Sequence, residues 1–417
     1  SSLLRRLLRL IILLYKSFID FTEDRLVEIA AKAKECGVEL FVLDDGWFGA
    51  RSNDHAGLGD WVANRERLPR GIKGIADRIE EMGMKFGLWF EPEMVNKDSD
   101  LYRAHPDWIL QTPQRLSCHG RNQYVLDFSR KEVVDCIYEM MYKILSEAKV
   151  SYIKWDMNRS ITECYSAALP ADRQGEVFHR YILGVYDLYE RLNTAFPQIL
   201  FESCASGGGR FDPGILYYAP QGWTSDDTDA AERVKIQYGT SMCYPVSSMG
   251  SHVSVVPNHQ LNRKTPLHTR ANVAYFGTFG YELDLNKLSD EEISEVKQQI
   301  TFMKEYRELI QFGTFYRLKS PFEGNETAWM TVSEDKKTAL VFWYRERNVV
   351  NADFTRVRLQ GLDPDLIYRN EYNETENYGD ELMNLGLLTT DCTAGEPTSE
   401  DEPCTDYESR IYVLTAK

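Results

Sequence analysis

Acidic residues gather where short apolar runs of this sequence end. Asp44 and Asp45 follow the run at 40–43, and Glu91 and Glu93 follow Trp89 in KFGLWFEPEM. Lys154 and Asp156 flank Trp155 in VSYIKWDM, Glu202 and Cys204 precede Gly207, and Trp223 stands before Asp226, Asp227 and Asp229. One carboxylate in such a place can simply cap the next helix. A whole series of strand ends carrying them is harder to explain as capping. Paired carboxyl groups can divide into a nucleophile and a general acid, and on a sugar a separation of roughly 5 Å supports a double displacement.

Alternation along KWD puts Lys154 and Asp156 on one side of a strand and Trp155 on the other. A cation beside Asp156 would hold it ionised, as a covalent nucleophile requires. Asp226 and Asp227 are adjacent, so their mutual repulsion pushes one of them toward the protonated form of an acid catalyst. These residue types do not choose between the two, and they leave a purely structural Lys154–Asp156 pair open.

A metal site is not expected. The sequence holds seven histidines with no H-x-H or H-x-x-x-H pair, whereas barrel metalloenzymes recruit histidine ligands. His252 and His259 are read as loop histidines bonded to backbone. No cofactor is expected either, and a doubly wound sheet, the competing fold, is disfavoured because no glycine-rich phosphate loop opens a helix.

A formal net charge of −16 argues against nucleic acid and against anionic membranes, and leaves neutral substrates allowed. The eight cysteines contain no C-x-x-C pair, so a reducing, cytoplasmic setting is expected, with Cys392 and Cys404 the one pair near enough in sequence to join. The Leu/Arg-rich start carries an apolar run, Leu10 to Tyr15, far short of the ~20 residues a membrane span needs, and shows no small-residue cleavage site.

The elements that must position these groups alternate. Strand-like runs at 40–45, 85–94, 150–157, 199–208 and 221–227 are separated by helical patterns over Glu23 to Cys36, Ile72 to Met82, Arg130 to Ala148 and Glu176 to Ala195. Weaker strand candidates are Leu10 to Phe21, Val253 to Val256 and Ala274 to Phe279. Eight βα units predict a (β/α)8 TIM barrel, whose strand ends share one face. After Gly313 the texture changes to period-two alternation, which predicts a small antiparallel β-sandwich. The expected division is an atypical segment at 1–14, a catalytic barrel at 15–312 and the sandwich at 313–417. Residues 391–406 read as a solvated loop.

The motifs LFVLDDGWFGAR (40–51), GLWFEPEMVN (87–96), YIKWDMNR (152–159), ESCASGGGRFD (202–212) and the run from Trp223 to Pro245 resemble glycoside hydrolase family 36, the bacterial-type α-galactosidases. The resemblance implies a metal-free retaining hydrolase of terminal α-linked galactose in melibiose- and raffinose-type sugars. It places the nucleophile at Asp156 and the acid/base at Asp226. It puts Asp44, Asp45, Lys154 and Arg121 on sugar hydroxyls, Trp89 and Trp223 around the pocket, and Cys204 with Gly207 along the galactose site. It also implies two departures: the family's N-terminal β domain is absent here, and Leu14, Tyr15 and Lys16 occupy the register of a sugar-contacting Trp. The expected partner is a galactoside, with a homo-oligomer allowed. Transglycosylation and a non-catalytic sugar-binding remnant are the alternatives.

Overall fold

The computed structural model describes residues 9–12, 21–350, 354–389 and 406–417. The pair Cys392 and Cys404, most of the 391–406 loop and the altered register at Leu14 to Lys16 lie outside them.

The barrel strands are β1 (Arg9–Ile12), β2 (Leu40–Leu43), β3 (Lys85–Phe90), β4 (Tyr152–Trp155), β5 (Leu200–Ser203), β6 (Gln221–Trp223), β7 (Met249–Ser254) and β8 (Thr278–Glu282). They close in the order β1-β8-β7-β6-β5-β4-β3-β2, the (β/α)8 barrel that the alternation predicts. The chain divides into two compact units, 1–226 with 282–288, and 227–281 with 289–417.

In the first unit the ladders from β1 through β6 are parallel. The helices between them are α1 (Glu23–Cys36), α2 (Gly71–Glu81), α3 (Lys131–Glu147) and α4 (Val177–Ala195). Helix α1 begins where the Thr22 side chain accepts the Arg25 N–H and ends at Gly37, whose φ of 98° only glycine adopts freely. Its buried stripe of Leu26, Ile29, Ala30 and Ala33 follows the helical period. Strands β2 and β4 are buried along their whole length, as barrel strands covered by helices must be. Part of that interior is polar: Tyr152 donates to Glu202, and Gln221 Nε2 donates to both, at 2.6 and 2.9 Å.

The second unit holds β7, β8 and the helices α5 (Ala230–Thr240), α6 (Leu267–Ala274) and α7 (Asp290–Phe312). Two sequence expectations need correction here. The strand expected at Val253 to Val256 begins earlier, at Met249, because its small polar residues mask a buried strand: Ser251 Oγ donates to the carbonyl of Ala274 at 2.5 Å. The strand expected from Ala274 begins only at Thr278, since Ala274 ends α6. His252 therefore lies in a buried strand, not in a loop.

Helix α7 opens on a capping box between Ser289 and Glu292 and stops at Gly313. Beyond it run β9 (Thr314–Lys319), β10 (Glu326–Val332), β11 (Thr338–Arg345), β12 (Ile367–Asn370), β13 (Glu376–Tyr378) and β14 (Glu408–Ala416). They form one antiparallel sheet ordered β9-β10-β11-β14-β12-β13. A two-stranded ribbon of Arg356–Val357 and Leu387–Leu388 packs on it, so that Val357 and Leu387 share a core with Met330, Val341, Trp343 and Tyr412. This is the expected sandwich.

Candidate active site

The carboxylates, the lysine and the tryptophans expected to do chemistry converge at the C-terminal ends of β2, β3, β4, β5 and β6. Asp156, directly after β4, is buried and receives three donors. Trp89 Nε1 reaches its Oδ2 at 3.1 Å, Asn158 Nδ2 reaches the same oxygen at 2.7 Å, and the Met157 N–H reaches Oδ1 at 2.9 Å. One oxygen is thus held by two side chains and the other by backbone. The thiol of Cys204 packs against the same carboxylate, and burial followed by the charge of Asp156 pushes it well above its ordinary range. It serves as a neutral lining group.

Lys154 shares the Asp156 side of β4, as alternation requires, but its ammonium pairs directly with Asp44 Oδ2 at 2.9 Å. The structural Lys154–Asp156 pair that the sequence left open is not formed; Asp156 accepts from Trp89 and Asn158 instead, with the Lys154 charge nearby. Burial works against the Lys154 charge, yet the charges of Asp44 and Asp156 outweigh it and keep the ammonium protonated. Asp45 is held by Arg51, with Nη2 at 2.7 Å from Oδ2. Trp155 points away, stacks on Tyr189 with centroids 3.9 Å apart, and donates to Glu93 at 2.8 Å.

Asp226 lies on the open side of the site, where Trp223 Nε1 donates to its Oδ1 at 3.1 Å. Enclosure by the surrounding walls, and then the nearby charge of Asp156, raise its carboxyl above the ordinary value against the pull of Lys154, Arg121 and the Trp223 hydrogen bond. Asp227 instead accepts the Asp229 N–H at 3.0 Å, a turn contact leading into α5, where Asp229 is the N-cap. The adjacent aspartates therefore have different neighbours, which the sequence could not assign.

Gly207 bridges to Ser225 on the approach to Asp226, with φ at 80°. A Cβ there would come 2.7 Å from the Asp226 nitrogen, so only glycine lets the two strand-end loops meet. Arg121 is exposed in a loop at φ 52° and acts at longer range, its charge felt by both Asp226 and Glu91.

Sequence reasoning did not place Asn158, Arg51, Gln123 or Arg210 in this neighbourhood, and it left Glu91 and Glu93 without roles. Glu93 is a fully buried carboxylate held by Arg210 at 2.7 and 2.8 Å and by Tyr181 Oη at 2.6 Å. Burial disfavours its charge, but Arg210 overcomes that and holds its carboxyl below the ordinary range. Glu91 is the opposite case: burial, then the charge of Asp156, push it up to about 8. The one signal available in the sequence was the period of two in EPE, which puts Glu91 and Glu93 on one side of an extended chain. Among the described residues no group of three His, Cys, Asp or Glu is arranged to hold a metal ion.

A buried carboxylate fixed by donors thus lies within electrostatic reach of a second carboxyl that is raised above its ordinary value, and each accepts from one indole N–H. The melibiase family model matches residues 9–313, and the glycosyl hydrolase family 36 C-terminal domain matches residues 326–414. The chain belongs to the melibiases of glycoside hydrolase family 36. Within that family it is 55% identical over 371 residues to the α-galactosidase AgaA of Geobacillus stearothermophilus, covering 89% of this chain and 51% of that protein. It is 53% identical over 371 residues to the α-galactosidase Mel36A of Lactobacillus acidophilus, covering 89% and 50%. The chain spans about half the length of the curated relatives it matches. Among solved melibiases, the AgaA crystal structure superposes with a TM-score of 0.93 at 50% identity, covering 99% of this chain and 56% of that one. The Lactobacillus brevis α-galactosidase gives a TM-score of 0.95 at 49% identity, covering 99% and 55%. No helix among the described residues is long and apolar enough to cross a membrane.

Proposed function

We propose that this chain carries the catalytic apparatus of a retaining α-galactosidase that removes terminal α-linked galactose from small galactosides. The observation that carries the reading is the unequal treatment of two neighbouring carboxyl groups. Asp156 has its oxygens fixed by Trp89, Asn158 and its own loop, while Asp226 is raised and open to an incoming sugar. Asp226 gives its proton to the glycosidic oxygen as Asp156 attacks the anomeric carbon and forms a covalent glycosyl ester. Asp226 then takes a proton from water, whose oxygen attacks the same carbon and frees Asp156. Asp44, Asp45, Lys154 and Arg121 are the groups that would grip hydroxyls, through charge-assisted bonds. Trp89 and Trp223 would flank the ring, with Cys204 and Gly207 along its edge. In this reading the barrel is the catalytic part, beginning at β1 (Arg9–Ile12) and so inside the stretch 1–14 that the sequence had set apart, and residues 313–417 are the accessory sandwich. Variants of AgaA have been solved in complex with raffinose and stachyose, which makes galactosides of that size the substrates to try first. The free thiols at 118, 136, 164, 204 and 243 favour a reducing compartment, the cytoplasm being the simplest one.

The test is release of p-nitrophenol from the α-galactoside beside the β-galactoside and α-glucoside, with Asp156→Ala as control. Release confined to the α-galactoside and abolished in the variant is the expected result. Silence from folded protein would overturn the proposal for this chain.

A further inference from the structure

The nucleophile reading leaves a second buried carboxylate beside Asp156 unexplained. Glu91, one residue past the end of β3, is fully buried. One of its oxygens accepts the backbone N–H of Asn158, and the other lies 2.9 Å from Gln123 Nε2. Asn158 in turn places its side-chain amide 2.7 Å from Asp156 Oδ2. These contacts form one continuous line, Gln123 to Glu91 to Asn158 to Asp156, that ties three separate segments together at the Asp156 carboxylate.

No regular secondary structure would otherwise hold Asn158. The β4 strand stops at Trp155, and residues 156–158 run on without helix or ladder. A residue in such a loop keeps its rotamer only where its backbone is anchored. The Glu91 carboxyl is that anchor, and burial makes its bond to the Asn158 N–H costly to lose.

Resting on the glycosidase reading above, we propose that Glu91 is a positioning residue for the nucleophile, acting through the Asn158 N–H to aim the Asn158 amide at Asp156. It does not touch the sugar. Its raised carboxyl, carrying a proton through much of the neutral range, agrees with a role that needs an acceptor oxygen rather than a second negative charge beside Asp156.

Two variants of similar volume separate these roles. Glu91→Gln keeps a carbonyl oxygen for the Asn158 N–H, whereas Glu91→Met fills the space without an acceptor. We expect Glu91→Met to lower kcat by roughly 10- to 100-fold with KM within about 3-fold, the pattern of a misplaced catalytic group. Glu91→Gln should recover most of that loss. A Glu91→Met enzyme with wild-type kcat, a loss confined to KM, or a Glu91→Gln variant as impaired as Glu91→Met would each overturn the role. Crystal structures of both variants read the same geometry without turnover: the Asn158–Asp156 contact, 2.7 Å here, should persist in Glu91→Gln and open in Glu91→Met. Should the methionine variant fail to fold, Gln123→Leu loosens Glu91 from its other side and should give a smaller kcat loss of the same kind. Asp156→Ala is assayed in parallel. Turnover that survives it sinks the glycosidase reading, whereas unchanged geometry and kcat in Glu91→Met sink only the positioning role.

Discussion

The ammonium of Lys154 lies 2.9 Å from Asp44, reaching past the intervening strand β3 to a carboxylate that follows β2. Both side chains are buried, so neither charge is tolerable without the other. Lys154→Met should therefore destabilise the protein by about 3–5 kcal/mol, the usual cost of stranding one buried ion. The double variant Lys154→Met/Asp44→Asn should regain much of that stability and none of the activity. Urea unfolding beside p-nitrophenyl α-galactoside assays distinguishes the two contributions.

The pH profile should be bounded on its alkaline side by Asp226. Its raised carboxyl keeps the acid form to higher pH than an ordinary carboxylate, and activity is lost as pH rises through that value. The Trp223 hydrogen bond opposes the shift, so Trp223→Phe should move the alkaline limb of kcat/KM to higher pH. A limb that moves down, or stays after Asp226→Asn, would reassign the acid.

Trp89→Phe keeps a ring stacked near Phe48, whose centroid lies 6.0 Å away, and deletes the indole donor to Asp156. One lost hydrogen bond to a charged group is worth about 1.5–3 kcal/mol, or roughly 10- to 100-fold in rate if it acts in the transition state. We expect that loss in kcat, with thermal stability nearly unchanged.

Glu93 links the site to stability. Its carboxyl is held below its ordinary value of 4.5, so the folded state binds fewer protons than the unfolded chain. The associated stability is fully present above about pH 4.5 and is lost as pH falls through the lowered folded value. Arg210→Met removes the main cause, and should destabilise the protein by about 3–5 kcal/mol near neutrality. Unfolding midpoints between pH 3 and 7 should then rise less steeply across the acid range than those of the parent protein.

Gly207→Ala should fail for a backbone reason. The residue has φ 80°, and an added Cβ would press on Ser225 and on the Asp226 nitrogen. A strain of about 1–3 kcal/mol is expected, with Asp226 displaced and kcat reduced. A thermally unchanged, fully active alanine variant would contradict the close approach.

The alternation of strand and helix, the barrel and the antiparallel C-terminal sheet were legible in the sequence, because hydrophobic period and turn chemistry are local signals. Helix α1 was read to the residue, since Thr22 and Gly37 mark its ends chemically. Strand β7 was misplaced because it is buried along its whole length yet carries small polar residues such as Ser251, whose partner, the Ala274 carbonyl, lies far away in the chain. Local patterning also determined that Lys154 and Asp156 share a side, because alternation along a strand is a property of the backbone. It could not decide that Lys154 would pair with Asp44, that Asp226 rather than Asp227 would feel Asp156, or that Glu91 would anchor Asn158. Those outcomes depend on which strand ends become neighbours when the sheet curls, and on how much water is left between them. Only the tertiary structure sets either one.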